Sequence, residues 1–128
     1  MMKPVFLSVD RIKRIHLDQV ERYGGEPSIR DQGLLESAAA MPAASFGDQF
    51  LHAFPHEMAA AYLFHLVSNH AFVDGNKRVG LATALMFLKV NGKRLECDHQ
   101  ALEDLVLGVA RGEKEKVDVA IFFRDHVV

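Results

Sequence analysis

One stretch of this chain limits the folds open to it more than any other. From Met58 to Val73 there is no Asp, Glu, Lys or Arg. Its first part, within "PHEMAAAYLFHLVSN", reads as a helix with Pro55 at the first helical position, where a missing N–H costs nothing. Apolar residues surround this helix instead of forming one stripe, so it has to be buried on nearly all sides. The span falls short of the roughly 18 apolar residues that a membrane helix needs. It is also interrupted by His65, Ser68, Asn69 and His70. The remaining segments must therefore wrap around a central helix within a globular unit.

Those segments read as amphipathic helices. Ser8 suits an N-cap, followed by Val9, Ile12, Ile15 and Val20 at helical spacing, and Gly24–Gly25 ends that helix. "GGEPSIRDQG" (24–33) is a loop, and Asp31 caps "QGLLESAAAM", which Pro42 ends. "SFGDQFLHAF" is ambiguous. A helix over 77–91 is closed by Asn91–Gly92, and "KRLEC" is a short strand or an extended link. Asp98 caps "HQALEDLVLGVA", and a last helix covers about 116–126. The expected fold is all-α, one domain over residues 1–128, with the loop 69–76 at one end of a buried central hairpin. With 49% apolar residues the chain can bury a substantial core.

Other properties exclude whole classes of function. A formal net charge of −2 gives no general attraction to nucleic acid or anionic lipid. "MMKPVFLSVD" is too short in apolar residues for a secretory segment. Cys97 is the only cysteine, so no intrachain disulfide forms; a reduced, cytoplasmic setting fits, and Cys97 is expected as a small core residue.

The segment after the central helix, "HAFVDGNKRVGLATALMFL" (70–88), poses a problem of charge. Lys77 and Arg78 stand in the first turn of a helix, where the backbone is already positive and each exposed cation costs about 0.3–1 kcal/mol. Gly75 permits a tight turn, and a turn feeding a helix start leaves N–H groups unpaired and convergent. A bound phosphate would reverse the sign of the cost. Side chains pointing into water would also account for the two cations, at little expense. Asp74 beside such a site becomes useful if Mg²⁺ bridges carboxylate and phosphate; otherwise it is an ordinary turn residue. His70, four residues earlier, is placed to take a proton from an attacking hydroxyl, or else is a hydrogen-bonded helix-end histidine. Phe72 is read as an anchor of the loop in the core.

Competing motifs fail on spacing. The phosphate loop G-x-x-x-x-G-K-[ST] is broken because Leu81 follows Gly80. H-E-x-x-H fails after His56-Glu57, and Pro55 between His52 and His56 argues against a zinc pair on one helix face.

"His70-Ala-Phe-Val-Asp74-Gly-Asn-Lys-Arg78" resembles the signature of the Fic/Doc superfamily, H-x-F-x-D/E-G/A-N-G/K-R. Lys77 in place of Gly is similar to the Doc (death-on-curing) toxin branch. "ERYGGEP" (21–27), "RDQGLLESA" (30–38) and "NG" (91–92) agree with that branch. The resemblance implies a compact helical bundle with the motif loop between two central helices. It also implies an ATP- and Mg²⁺-dependent transfer to a protein hydroxyl. By that likeness His70 is the general base, Asp74 the Mg²⁺ ligand, Gly75, Asn76 and Lys77 the anion hole, and Arg78 a phosphate holder.

Two departures from the adenylylating Fic pattern point away from AMP transfer. Lys77 fills space that those enzymes leave for a β-phosphate, and Leu81 replaces their second Arg. The Doc likeness implies a toxin that phosphorylates a threonine of elongation factor Tu and so blocks translation. The inhibitory pattern S/T-x-x-x-E-G/N is missing from the sequence. Restraint is then expected from a Phd-like antitoxin whose tail folds on an exposed apolar groove. The alternatives are an adenylyltransferase and a non-catalytic module that binds a nucleotide or partner. The loop 24–33 is either an edge that docks the target or a plain surface connector.

Overall fold

The computed structural model describes residues 3–128; Met1 and Met2, part of the stretch read against a secretory segment, lie outside them. Six helices are described: α1 (Val9–Tyr23), α2 (Gln32–Ala40), α3 (His56–Asn69), α4 (Asn76–Val90), α5 (His99–Ala110) and α6 (Lys116–His126). A 3₁₀ turn, Met41–Ala43, follows α2. The ambiguous segment forms a small antiparallel hairpin, β1 (Ser45–Phe46) with β2 (Gln49–Phe50).

The charge-free helix sits where its composition requires. Met58 through Leu63, Leu66 and Val67 are all buried, and α3 packs against α2, α4, α5 and α6. Small residues allow this crowding: Ala59, Ala60 and Ala61 have no exposed surface. At the crossing with α4, a Cβ on Gly80 would lie 2.6 Å from Val67 Cγ2 and 3.2 Å from the Leu63 carbonyl oxygen. A glycine in mid-helix costs about 1 kcal/mol of helix propensity, and here it sets the distance between the two central helices.

The helix starts follow the sequence signals. Ser8, Asp31 and Asp98 each accept a hydrogen bond from a backbone N–H in the first turn they cap, those of Arg11, Leu34 and Ala101. Pro55 is the N-cap of α3 rather than its first helical residue, and α4 starts one residue earlier than expected, at Asn76. After Asn91, Gly92 turns the chain with φ 76°. Buried Asn91 also ties the N-terminal segment down: its Oδ1 accepts from Val5 N–H at 2.8 Å and its Nδ2 donates to Val5 O at 3.0 Å. Tyr62 does likewise at Leu7, accepting from its N–H at 2.8 Å; burial pushes its phenol up to about 12.

The link after α4 is extended and makes a single antiparallel bridge, Leu95 to Val127. It corrects the expectation for Cys97. Along an extended chain alternate side chains face inward, and here Leu95 and Cys97 are half-buried while Glu96 and Asp98 are exposed. Cys97 therefore lies outside the core, at the rim of the fold.

Candidate active site

The loop between α3 and α4 is shaped by partners from two other segments. Helix α3 ends at His70, which has φ 51°, the sole positive φ of a non-glycine among the described residues. Such a conformation persists only where surroundings hold it. Arg30 does this: its Nε donates to His70 O at 2.7 Å and its Nη2 to Asn69 O at 3.3 Å. The guanidinium thus satisfies carbonyls that the helix end leaves open. Next to it, the N–H groups of Arg30 and Asp31 donate to Ala71 O, and Val73 N–H donates to Ser28 O. Ile29 and Phe72 form an antiparallel bridge. Segment 24–31 consequently lies along the motif loop.

On the inner side, Phe72 is buried as expected and stacks on His16, with ring centroids 3.7 Å apart and planes inclined by 12°. His16 is itself buried, and its Nε2–H donates to Asp74 O at 2.7 Å. The loop also closes on itself through Asn76, whose Oδ1 accepts from Phe72 N–H at 3.1 Å and whose Nδ2 donates to Phe72 O at 2.9 Å. The Asn76 side chain is thereby a brace, and only its backbone N–H is left to offer an anion.

The start of α4 has the expected character. Gly75 is the N-cap, with φ 79°, and no side chain caps the helix. Val79 N–H is the first in the turn to find a carbonyl, Gly75 O at 2.9 Å. Among the described residues the N–H groups of Asn76, Lys77 and Arg78 have no partner. Asp74 is exposed; its Oδ1 accepts from Gly75 N–H at 2.8 Å. Its Oδ2 lies where a Cβ on Gly25 would approach within 2.7 Å, and Arg78 Nη2 would be 3.3 Å from that same Cβ. Arg78 is half-buried, its guanidinium 5.9 Å from the centre of the Tyr23 ring, within the range of a cation–π contact. Lys77 is exposed, and neither cation makes an ion pair among the described residues.

A cavity of about 440 Å³ opens beside this turn. His70, Asp74, Asn76 and Lys77 line it from the motif loop and the start of α4, and Leu107, Ala110 and Arg111 from the end of α5. A neighbouring cavity of about 330 Å³ shares Lys77 and Leu107 and adds Arg78. Four of the expected site residues therefore face one cavity. Arg78 faces the next, and Gly75 forms the turn between them. The His70 ring makes no hydrogen bond among the described residues, so it is not a helix-end histidine tied to the backbone.

The same residues bear on a cation. No group of three or more His, Cys, Asp or Glu side chains converges among the described residues. A protein cage for a metal is therefore not built here. Mg²⁺ commonly takes one or two carboxylates together with phosphate oxygens and water. Asp74 fits that role, with one oxygen fixed by Gly75 and the other making no hydrogen bond among the described residues.

Sequence reasoning missed four residues of this construction. His16 falls four residues after Ile12 on the apolar face of α1, a position that signals burial but not its partner. Arg30 and Gly25 act through a loop whose path no periodicity encodes. Arg111 comes from an element far along the chain.

A bundle built round an apolar α3, with a braced turn that presents His70, Asp74 and the start of α4 to one cavity, defines a class. The model of the Fic/DOC family matches residues 6–88, which run from before α1 into the last turn of α4. The chain belongs to the Fic/DOC family, in its death-on-curing branch. It is 45% identical over 93 residues to "Toxin Doc" of Mycolicibacterium smegmatis, with 69% of each chain covered. It is 34% identical over 115 residues to "Protein kinase doc" of Escherichia phage P1, with 89% of each covered.

Proposed function

We propose that this protein is the toxin of a toxin–antitoxin pair and transfers the γ-phosphoryl group of ATP to a protein hydroxyl. The observation that carries the reading is the shared cavity, where an unbonded imidazole faces a helix start bearing free N–H donors and Lys77. Phosphoryl transfer asks for positioning and charge stabilisation more than for covalent chemistry, and these residues provide both. The target hydroxyl oxygen bonds to the γ-phosphorus, the bond from that phosphorus to the bridging oxygen of the β-phosphate breaks, and ADP leaves. His70 receives the hydroxyl proton, help worth on the order of 10²–10⁴ in rate. The N–H groups of Asn76 and Lys77, with the Lys77 ammonium, hold phosphate oxygens, and Arg78 holds another from the adjoining cavity. Asp74 would hold Mg²⁺, which supplies charge neutralisation to the phosphates when bound.

A threonine of elongation factor Tu is the proposed target, with arrest of translation as the consequence. The support is the likeness to relatives named as a toxin and as a protein kinase. Segment 24–31, paired with the motif loop, offers the edge along which a target strand would lie.

Restraint is assigned to a Phd-like antitoxin. A cavity of about 450 Å³ runs along α4 between α1 and α5, with Arg78 at one end and Leu81, Ala82 and Leu85 along its floor. Tyr23 and Leu85 are exposed there. An amphipathic antitoxin segment that folds on binding would cover them and approach Arg78, closing the phosphate site.

Expression of wild-type protein and of His70→Ala in bacteria tests the reading. Growth arrest by the wild type and none by the variant, at equal soluble levels, is the expected result. Arrest by both would leave a binding module, and His70 would have no catalytic role.

A further inference from the structure

We infer that Arg111, at the end of α5, clamps the phosphate chain of the nucleotide bound beside the motif loop. The inference rests on the phosphoryl-transfer reading above and adds a residue that the family signature does not contain. Arg111 is the C-cap of α5 and lines the same cavity as His70, Asp74 and Lys77. Its backbone is well anchored. Arg111 N–H donates to Leu107 O at 3.0 Å, and the chain then turns back over Gly108, where the N–H groups of Glu113 and Lys114 donate to Gly108 O at 2.8 and 3.1 Å. A Cβ on Gly108 would lie 2.5 Å from Lys114 Cγ, so this return is closely packed.

The guanidinium at the end of that fixed stem is exposed and, among the described residues, makes neither an ion pair nor a hydrogen bond. Among the described residues Asp74 is the only carboxylate lining the cavity, and its proposed task is to face a cation. Two cations, Lys77 from α4 and Arg111 from the end of α5, therefore line one space, with no protein anion among the described residues to balance them both. A chain of phosphates supplies that balance. The flat fork of Arg111 suits it, since two N–H groups can meet two phosphate oxygens at once. The other role open to Arg111 is to offset the negative end of α5, a purely structural one.

Equilibrium binding of ATP with Mg²⁺, and separately of adenosine, to the wild type, Arg111→Ala and Arg111→Lys distinguishes these. The wild type is expected to bind ATP. Arg111→Ala should weaken ATP by roughly tenfold, a charge-assisted hydrogen bond discounted for its exposure, and leave adenosine unchanged. Arg111→Lys should fall between them. In turnover, the KM for ATP should rise by more than kcat falls. Equal ATP affinity in wild type and Arg111→Ala overturns the clamp while leaving the phosphoryl-transfer reading intact. A lower melting temperature with unchanged ATP affinity overturns it too, in favour of the structural role. No ATP binding by the wild type removes both the clamp and the reading on which it rests.

Discussion

Adjacent glycines at the end of α1 allow strain and site geometry to be separated. Gly24 has φ 84° and ψ 172°, and Gly25 has φ 120°. A side chain at such angles costs on the order of 1–3 kcal/mol, so Gly24→Ala and Gly25→Ala should destabilise the fold to a similar extent. Their surroundings differ. A Cβ at Gly24 meets nothing within 4 Å, whereas one at Gly25 would lie 2.7 Å from Asp74 Oδ2. Ordinary van der Waals contact starts at about 3.4 Å, so the carboxylate has to move by roughly 0.7 Å or more from 2.7 Å. That movement is cheap in stability, because Oδ2 is the free end of a side chain. On the proposed function, in which Asp74 would hold Mg²⁺ beside the phosphates, it is costly, since displacements of about 1 Å can cost on the order of 10²-fold in rate. Thermal melts and kinase assays of both variants, with Mg²⁺ titrated, test this. The expected result is matched losses of stability, a fall in activity of about 10- to 100-fold in Gly25→Ala alone, and a higher Mg²⁺ requirement in that variant. Equal activity in the two variants would refute the placement of Asp74 against Gly25.

Other expectations concern the supports of the site and the core. His16→Phe keeps the stack on Phe72 but removes the donor to Asp74 O; denaturant melts should show a loss of about 0.5–1.5 kcal/mol, the net worth of one part-buried hydrogen bond, together with reduced activity. Gly80→Ala gains about 1 kcal/mol in helix propensity and loses about 1–3 kcal/mol to overpacking against Val67 and Leu63 O, leaving a modest net loss. Combined with Val67→Ala, it should cost less than the sum of the two changes, and strict additivity would contradict the contact. His65 accepts from Lys116 Nζ at 3.2 Å, and burial, aided by Lys116 and His52, pushes it down to about 4 from its usual 6.5. Between those values the unfolded chain binds the extra proton, so the contribution of His65 is complete above pH 6.5 and is lost as pH falls toward 4. His65→Gln should flatten that part of the stability–pH curve, and an unchanged slope would contradict the shift.

What the sequence made legible is what local physics determines. An uncharged run announced the central position of α3, and Ser8, Asp31 and Asp98 marked helix starts through short-range hydrogen bonds that any such cap would make. The motif residues were readable as a set because they are nearly consecutive, from the C-cap of α3 at His70 to the first turn of α4 at Arg78. The 45–50 hairpin has strands of two residues each, too short for an alternating pattern to register. Asn76 looked like an anion-hole residue, and its side chain proved to be the brace of its own loop. Cys97 was misplaced because a lone cysteine carries no sign of the extended link that holds it at the rim. His16, Gly25, Arg30 and Arg111 reach the site only through tertiary packing, and their spacing in the chain bears no relation to their proximity.

The central claim is that the turn at Gly75 positions ATP for transfer of its terminal phosphoryl group. The most direct measurement incubates the purified protein, Mg²⁺ and bacterial lysate with ATP labelled in either its γ- or its α-phosphate. Label should appear on protein from the γ-position alone and disappear with His70→Ala. Label from the α-position would mean AMP transfer, and no label from either, with the protein folded, would mean that the cavity is not a transferase site.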